Sequence, residues 1–256
     1  MVESATIRVH SWDRPFDKLQ VRQAVVHALS RDEFLALFGA KSSEKQYSFL
    51  AAQFMPGGLA QAEVVAKGLE YKTDVEKAKK LLAEAGFPNG FALELVSSEL
   101  PGYLKVYQSM QAQLGKVGIK ISLKVVDHSS YHALIRKDVN ALVVYAAYRP
   151  TSDIGLTQFF HSDSIVVTGL KPNTNFSHYQ AIDKLIEQAR VEIDSAKQLA
   201  LWKETQVKIL EDMVNYPILF TNQVYVRSTA VNYGHELKSV LALYPGVDET
   251  TRVERK

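Results

Sequence analysis

An α/β domain with a central, mostly parallel β-sheet flanked by helices is the fold class that this sequence predicts. Two observations carry the expectation. From residue 91 onward the hydrophobic period switches repeatedly between two and about 3.6, the alternation of strand and helix. The run Ala141-Leu-Val-Val-Tyr-Ala-Ala147 is apolar throughout, as a strand covered on both faces requires.

Taken in order, Ser30-Arg-Asp-Glu33 and Thr73-Asp-Val-Glu76 are Ser/Thr-x-x-Glu capping boxes, so each predicts a helix start. The second helix carries Ala78, Leu81, Leu82 and Ala85 on one face, closes at Gly86, and is followed by the turn Pro88-Asn-Gly90. Phe91–Val96 reads as a strand. Tyr103, Tyr107, Met110, Leu114 and Val117 line one stripe of a helix that ends at Gly118, and Ile119–Val126 alternates as the next strand. A short helix with Tyr131, Leu134 and Ile135 leads to the apolar strand at 141–147. Three strands joined by helical crossovers are expected to pair in parallel. Ser177-His-Tyr-Gln180 repeats the capping signature ahead of helices near 178–192 and 196–214. On the second of these, Leu199, Trp202, Gln206, Ile209 and Met213 share a face, with Trp202 read as core. Tyr216–Val231 is read as extended. Residues 39–72 and 161–176 show no clear period, and loops this long are usually functional or disordered.

The 256 residues, 46% hydrophobic, suffice for one large domain or two small ones. Thirty basic against 28 acidic residues leave a net charge of +2, too balanced for a nucleic-acid footprint or a polybasic membrane anchor. The basic cluster Arg252-Val-Glu-Arg-Lys256 reads as a solvated end. The absence of cysteine excludes disulfides, thiolate metal sites and a cysteine nucleophile, and leaves the compartment open. The first residues, Met1-Val-Glu-Ser-Ala-Thr-Ile-Arg, lack the apolar stretch of a signal peptide, and no run reaches transmembrane length.

Catalytic patterns are weak. His128 and His132 have the i, i+4 spacing of a metal-binding pair, but Asp127 and Ser129 are both good N-caps. That predicts His128 at or before the helix start, off the His132 face, so no metal site is expected. His161-Ser-Asp-Ser164 holds the residue types of a hydrolytic triad without its geometry or a Gly-x-Ser-x-Gly elbow. Met55-Pro-Gly-Gly58 lacks the Lys-Ser/Thr of a phosphate loop, and no cofactor motif is present. Glu211 and Asp212 face different ways. The best candidate is the end of the central strand and its loop, Tyr145-Ala-Ala-Tyr-Arg-Pro-Thr-Ser-Asp153, because open α/β sheets bind ligands beyond the carboxyl ends of strands. There Tyr145 and Tyr148 offer aromatic area, Arg149 a grip for a carboxylate, Thr151 a hydroxyl, and Asp153 an acceptor for an amine or hydroxyl. The alternative at these positions is a core Tyr145 and a surface Arg149–Asp153 pair.

Three blocks resemble a known family in order: Pro15-Phe-Asp17 followed by Val21-Arg-Gln-Ala24 and Ala28-Leu-Ser-Arg31; Asp74 to Phe91 with its Ala85-Gly-Phe-Pro-Asn-Gly90; and Asp183-Lys-Leu-Ile-Glu-Gln-Ala189 leading to Tyr216-Pro-Ile-Leu-Phe220. They resemble the extracellular solute-binding proteins of ABC importers, family 5, the oligopeptide, dipeptide and nickel class. The resemblance implies a lobe of the type II periplasmic-binding-protein fold, binding without catalysis, and a periplasmic or extracellular location. It implies as partners a peptide or other small-molecule ligand, the membrane subunits of an ABC permease, and an N-terminal lobe of the same protein. Since family members are about twice as long, the chain is expected to be their C-terminal lobe: one domain over 1–256, with an α/β core at about 12–220 and a return strand and tail at 221–256.

In the family the strand end carries Gly-Trp, and in peptide-binding members an Asp a few residues on holds the peptide's amino terminus. Here Ala146-Ala147 and Arg149-Pro150 stand near those places, so a carboxylate, a sugar or another solute is as much an expectation as a peptide. The loop Tyr47–Gly58 is expected to form another part of the cleft wall, with Phe54 and Met55 facing the ligand. Alone, the chain is expected to bind solute weakly and to expose an apolar patch. Two other readings stay open: a metal-assisted hydrolase using His128, His132 and an acid such as Asp138, and a sensory or interaction domain without a transport role.

Overall fold

A computed structural model describes residues 2–9, 15–222, 227–235 and 247–253. Its main sheet has four strands in the order β2-β6-β1-β5, where β1 is Val2–Val9, β2 Ser43–Lys45, β5 Leu142–Ala147 and β6 Asn215–Asn222. Every pairing in it is antiparallel. A second layer holds only β3 (Ala92–Ser98) and β4 (Lys120–Val126), paired in parallel from Ala92↔Lys120 to Ser98↔Val126. The expected parallel pair therefore forms, but the expected third member does not join it. The central sheet is antiparallel rather than mostly parallel. One of its two inner strands, β1, lies outside the predicted 12–220 core.

Side chains explain why β5 turns away from β3. The carboxamide of Asn140 takes both main-chain groups of Val96: Val96 N–H donates to Oδ1 at 2.8 Å, and Nδ2 donates to Val96 O at 2.9 Å. On the β5 side, Val144 N–H donates to the Tyr107 hydroxyl at 3.1 Å, and the Tyr131 hydroxyl donates to Val144 O at 2.5 Å. Tyr107 also bonds Leu142 O at 3.2 Å and accepts from Asn140 Nδ2 at 3.0 Å. Edge groups that a neighbouring strand would have satisfied are thus satisfied by two phenols and an amide, all fully buried. Burial raises the pKa of both phenols, which keeps their protons in place as donors.

The helices largely follow the expected faces. α1 is Leu19–Ala28, and α2, Arg31–Phe38, is capped by Ser30, whose side chain accepts from Glu33 N–H. Within the loop expected from 39 to 72 lies α3, Gln61–Ala66. α4, Val75–Glu84, is capped by Asp74 rather than Thr73, whose hydroxyl instead donates to Leu29 O at 2.8 Å. The aspartate, one residue closer to the helix, wins because its carboxylate reaches Lys77 N–H at 2.9 Å and complements the positive helix end. α5, Pro101–Gly115, buries Tyr107, Met110 and Leu114 of the expected stripe. Gly90 (φ 72°) and Gly118 (φ 86°), before β3 and β4, back onto each other so closely that a Cβ on Gly90 would lie 2.1 Å from Gly118 O. Only glycine fits, and the parallel register starts just beyond this contact.

α6 is His128–Ile135 and α7 is Ser152–Phe160. α8, Asp183–Val191, starts later than the Ser177–Gln180 signature predicts, because Ser177 is buried and donates to Asn175 Oδ1 instead of capping a helix. α9 is Ser195–Glu211, with Gln206 and Ile209 buried and Trp202 half-buried against the core. The extended piece from Tyr216 is β6 as far as Asn222, and residues 223–226 lie outside the described ones. In the tail, β7 (Val231–Asn232) pairs with β8 (Arg252–Val253), which takes up the first two residues of the basic end; residues 254–256 lie outside the described ones. No described helix is long and apolar enough to cross a membrane.

Candidate functional site

The buried arginines of the first family block hold the scaffold. Arg22 donates from Nε to Asp212 O at 2.7 Å and from Nη1 to Phe16 O at 2.8 Å, which ties α1 to the end of α9. Arg31 donates to Pro217 O at 2.8 Å and Gln46 O at 3.0 Å, with its guanidinium between the rings of Tyr47 and Tyr216. Pro217 cannot donate to a ladder, and the β1–β6 register shifts beside it, between Ala5 and Thr6. Arg31 thus fixes β6 and the start of the 46–59 loop together.

That loop meets the carboxyl end of β5. The Ser152 hydroxyl donates to Pro56 O at 2.6 Å, and Gly155 of α7 lies against Phe49 and Leu50, where a Cβ would come within 3.4 Å of the Phe49 ring. Gly57, at φ 84°, presses on Trp202 so tightly that a Cβ there would sit 2.4 Å from the Trp202 Cβ. Loop, α7 and α9 are locked to one another. Neither Ser152 nor Gly155 had been singled out from sequence; a hydroxyl directly after a Thr cap and a glycine inside an apolar helix were the available signals.

Of the predicted site residues, Tyr148, Arg149 and Thr151 lie on the loop after β5, and Phe54 and Met55 on the loop that Ser152 holds through Pro56. Tyr148 is half-buried. Arg149, also half-buried, lies over the Phe159 ring at 4.9 Å; its Nε donates to Gln158 Oε1 and its Nη1 to Tyr148 O at 2.8 Å. Thr151 caps α7, accepting from Ile154 N–H at 3.2 Å. Phe54 is 52% exposed and stands edge-on to Phe220 at 5.3 Å, with Met55 half-buried beside it. Gln53, Phe54, Met55 and Pro56 line an open hollow of about 450 Å³ together with Glu63 and Lys203. The Lys203 ammonium donates to Glu63 at 2.5 Å, and this bond first of all lowers the Glu63 pKa.

Two predicted residues sit differently. Tyr145 is buried between Phe159 and Phe176. Asp153 is bound to Arg190 of α8 at 3.0 Å, so the surface pair with Arg149 does not form.

His128 and His132 do share a face, against expectation. Asp127 is the cap, which makes His128 the first residue of α6, and the two Nε2 atoms stand 3.1 Å apart. The pKa of His132 is lowered to about 4, chiefly by burial and further by His128 and Arg136. No cluster of three or more metal-ligating side chains occurs among the described residues.

Comparison with known proteins follows the same outline. MoaA from A. tumefaciens R10, solved in complex with mannopinic acid, superposes with a TM-score of 0.88 at 33% identity, over 100% of this chain and 50% of its own. DppA from Helicobacter pylori, in complex with the peptide STSA, gives 0.79 at 19% identity over 99% of this chain and 48% of its own. In sequence, the glutathione-binding protein GsiB of Escherichia coli K12 is 28% identical over 233 residues, 87% of this chain and 43% of GsiB. The chain thus spans about half the length of the proteins it matches, and its fold is that of a type II periplasmic binding protein. The family model for bacterial extracellular solute-binding proteins, family 5 (middle), matches residues 3–165, and the chain belongs to that family.

Proposed function

We propose that this chain is the C-terminal lobe of the substrate-binding component of an ABC importer, and that it captures a peptide or another small solute in a cleft closed by a second lobe. Family membership over residues 3–165 supports a binding role, as do relatives named for glutathione, mannopinic acid and a peptide. The observation that carries the assignment of the cleft face is the bond from Ser152 to Pro56. It joins the strand-end loop to the Phe54–Met55 loop in one rigid rim at the carboxyl end of β5.

On that rim Arg149 is the anchor for an anionic group of the solute. Among the described residues its bonds use Nε and Nη1, so Nη2 is the donor assigned to the solute, and the Phe159 ring lies against the guanidinium. Tyr148 and Phe54 supply aromatic contact area, Met55 an adaptable apolar wall, and the Thr151 hydroxyl a donor. Asp153 and Tyr145 act from behind, through Arg190 and the aromatic core. Closure of the two lobes by a hinge motion would present the loaded form to the permease outside the cytoplasm. The role needs desolvation and matched hydrogen bonds but no reacting group.

Native mass spectrometry of the two-lobed protein should find a retained solute. Titration of that solute into an Arg149→Ala variant should show at least a tenfold loss of affinity with unchanged thermal stability. Equal affinity in the variant removes Arg149 from the site, and turnover of the solute rejects the binding role.

A further inference from the structure

We propose that His128 and His132 form a binding site for a borderline divalent metal ion such as Zn²⁺, with two protein ligands and its remaining positions open to water or a small ligand.

The pair lies on the first two turns of α6, a helix fixed by the Asp127 cap and by the buried Tyr131 and Ile135. Both histidines are half-buried, and the contact between their Nε2 atoms is part-buried rather than enclosed. Two nitrogens 3.1 Å apart, each at the usual 2.0–2.1 Å from one ion, subtend about 100° there, between the octahedral and tetrahedral angles. The ring centres are 4.4 Å apart, only 1.3 Å more than the nitrogens (4.4 − 3.1). Rings aimed head-on along an N–H···N line would add two full ring radii. The rings are therefore not aimed head-on at each other; they stand at 82°, with both Nε2 atoms on the same face of α6.

Surrounding groups set the orientation. The Ser98 hydroxyl contacts His128 Nδ1 at 3.0 Å and itself accepts from Leu100 N–H at 3.1 Å. A proton on His128 Nδ1 leaves the Nε2 lone pair for the ion, the arrangement found where a second group orients a ligating imidazole. Tyr103 contacts both imidazoles, at 5.2 and 6.2 Å, and Tyr145 stands edge-on to His132 at 5.6 Å. Arg136 opposes the ion. Its Nη1 lies 3.4 Å from His132 Nδ1, and as a pure donor it leaves His132 with its proton on Nε2. Metal binding moves that proton to Nδ1 and displaces the guanidinium, which keeps His132 O and Tyr145 as partners. With no third protein ligand in the described residues the site is open rather than structural.

The test is calorimetric titration of zinc chloride into the full chain with any polyhistidine tag removed. It is repeated on His128→Gln, His132→Gln and Arg136→Met, each checked for an unaltered circular-dichroism spectrum. One equivalent should bind the parent chain, at least tenfold more weakly in either histidine variant and severalfold more tightly in Arg136→Met. Absence of zinc binding in the parent overturns the proposal. So does equal affinity in folded His128→Gln and His132→Gln. Should both histidine variants fail to fold, an Arg136→Met affinity no higher than the parent's overturns it.

Discussion

Strand β5 meets its two neighbouring layers by different means. To β1 it is joined by a main-chain ladder running from Ser4↔Ala147 to Val9↔Leu142. To β3 it is joined only by side chains, those of Asn140, Tyr107 and Tyr131. A ladder draws on groups that every residue except proline possesses, so it tolerates substitution at most positions. A joint made of side chains depends on the identity of each member. The proposed site lies on the loop after β5, so both joints determine where Arg149 stands.

The sharpest way to break the ladder is proline at its centre. Ile7 of β1 pairs with Val144 on one side and Tyr216 on the other, and Ile7→Pro removes a ladder donor from a strand with neighbours on both edges. The variant is expected not to reach a cooperatively folded state, as judged by thermal unfolding followed by circular dichroism. A normal transition would mean that β1 is dispensable and that side-chain contacts alone hold β5.

Next in size is Asn140→Ala. It strips Val96 of partners for both its N–H and its C=O in a part-buried setting, at about 1–3 kcal/mol for each group, so a loss of roughly 2–6 kcal/mol is the upper range expected in denaturant unfolding. Asn140→Asp, which restores the acceptor but not the donor, should not recover it. A loss below about 1 kcal/mol would show that water or a shifted strand replaces the amide. Smaller again is Tyr107→Phe, which leaves Val144 N–H without its acceptor while keeping the packed ring, for roughly 1–3 kcal/mol. The double variant should lose less than the sum, because Asn140 Nδ2 also donates to the Tyr107 hydroxyl.

This contrast also accounts for what was legible in the sequence. β3, β4, the stripe of α5 and the Ser30 cap were readable because their signals are local: an alternation, a 3.6-residue period, a hydroxyl before a glutamate. β1 was not, since Ser4-Ala-Thr6 gives almost no alternation, and its partners lie some 140 and 210 residues further along the chain. Nor were the substitutes for a third parallel strand. Tyr107 and Tyr131 register in a sequence as apolar members of a helical face, and nothing local shows that their hydroxyls end on a strand edge. The surroundings of the candidate site were legible only in part for the same reason. The strand end and its loop were visible, whereas the Arg190 that occupies Asp153 and the Ser152 bond that brings Phe54 and Met55 alongside are tertiary.

The smallest expected effect separates the two joints by acidity. His132 stands edge-on to Tyr131, at 5.5 Å, and to Tyr145, at 5.6 Å, so its charge state bears on the side-chain joint, whereas main-chain ladder bonds do not titrate. The groups facing it are His128, Arg136, Tyr103, Tyr131 and Tyr145; the nearby charge is cationic and disfavours protonation. Its pKa is near 6.5 in the unfolded chain and about 4 in the folded one, so between those values the unfolded state binds the extra proton. Stability is therefore full above about pH 6.5 and falls as the pH drops toward 4. Because the ring is half-exposed, solvent reduces the loss to on the order of 1 kcal/mol. His27, also lowered by burial, acts in the same direction from α1, against Lys72 O. Hydrogen-exchange protection of the Val96 and Val144 amides should thus decline between pH 7 and 5 before that of the β1 amides, and His132→Gln should abolish the lead. Parallel decline in both regions would mean that the phenol and amide joint opens only with the whole domain, and that β3 and β5 are bound as firmly as strands in one sheet.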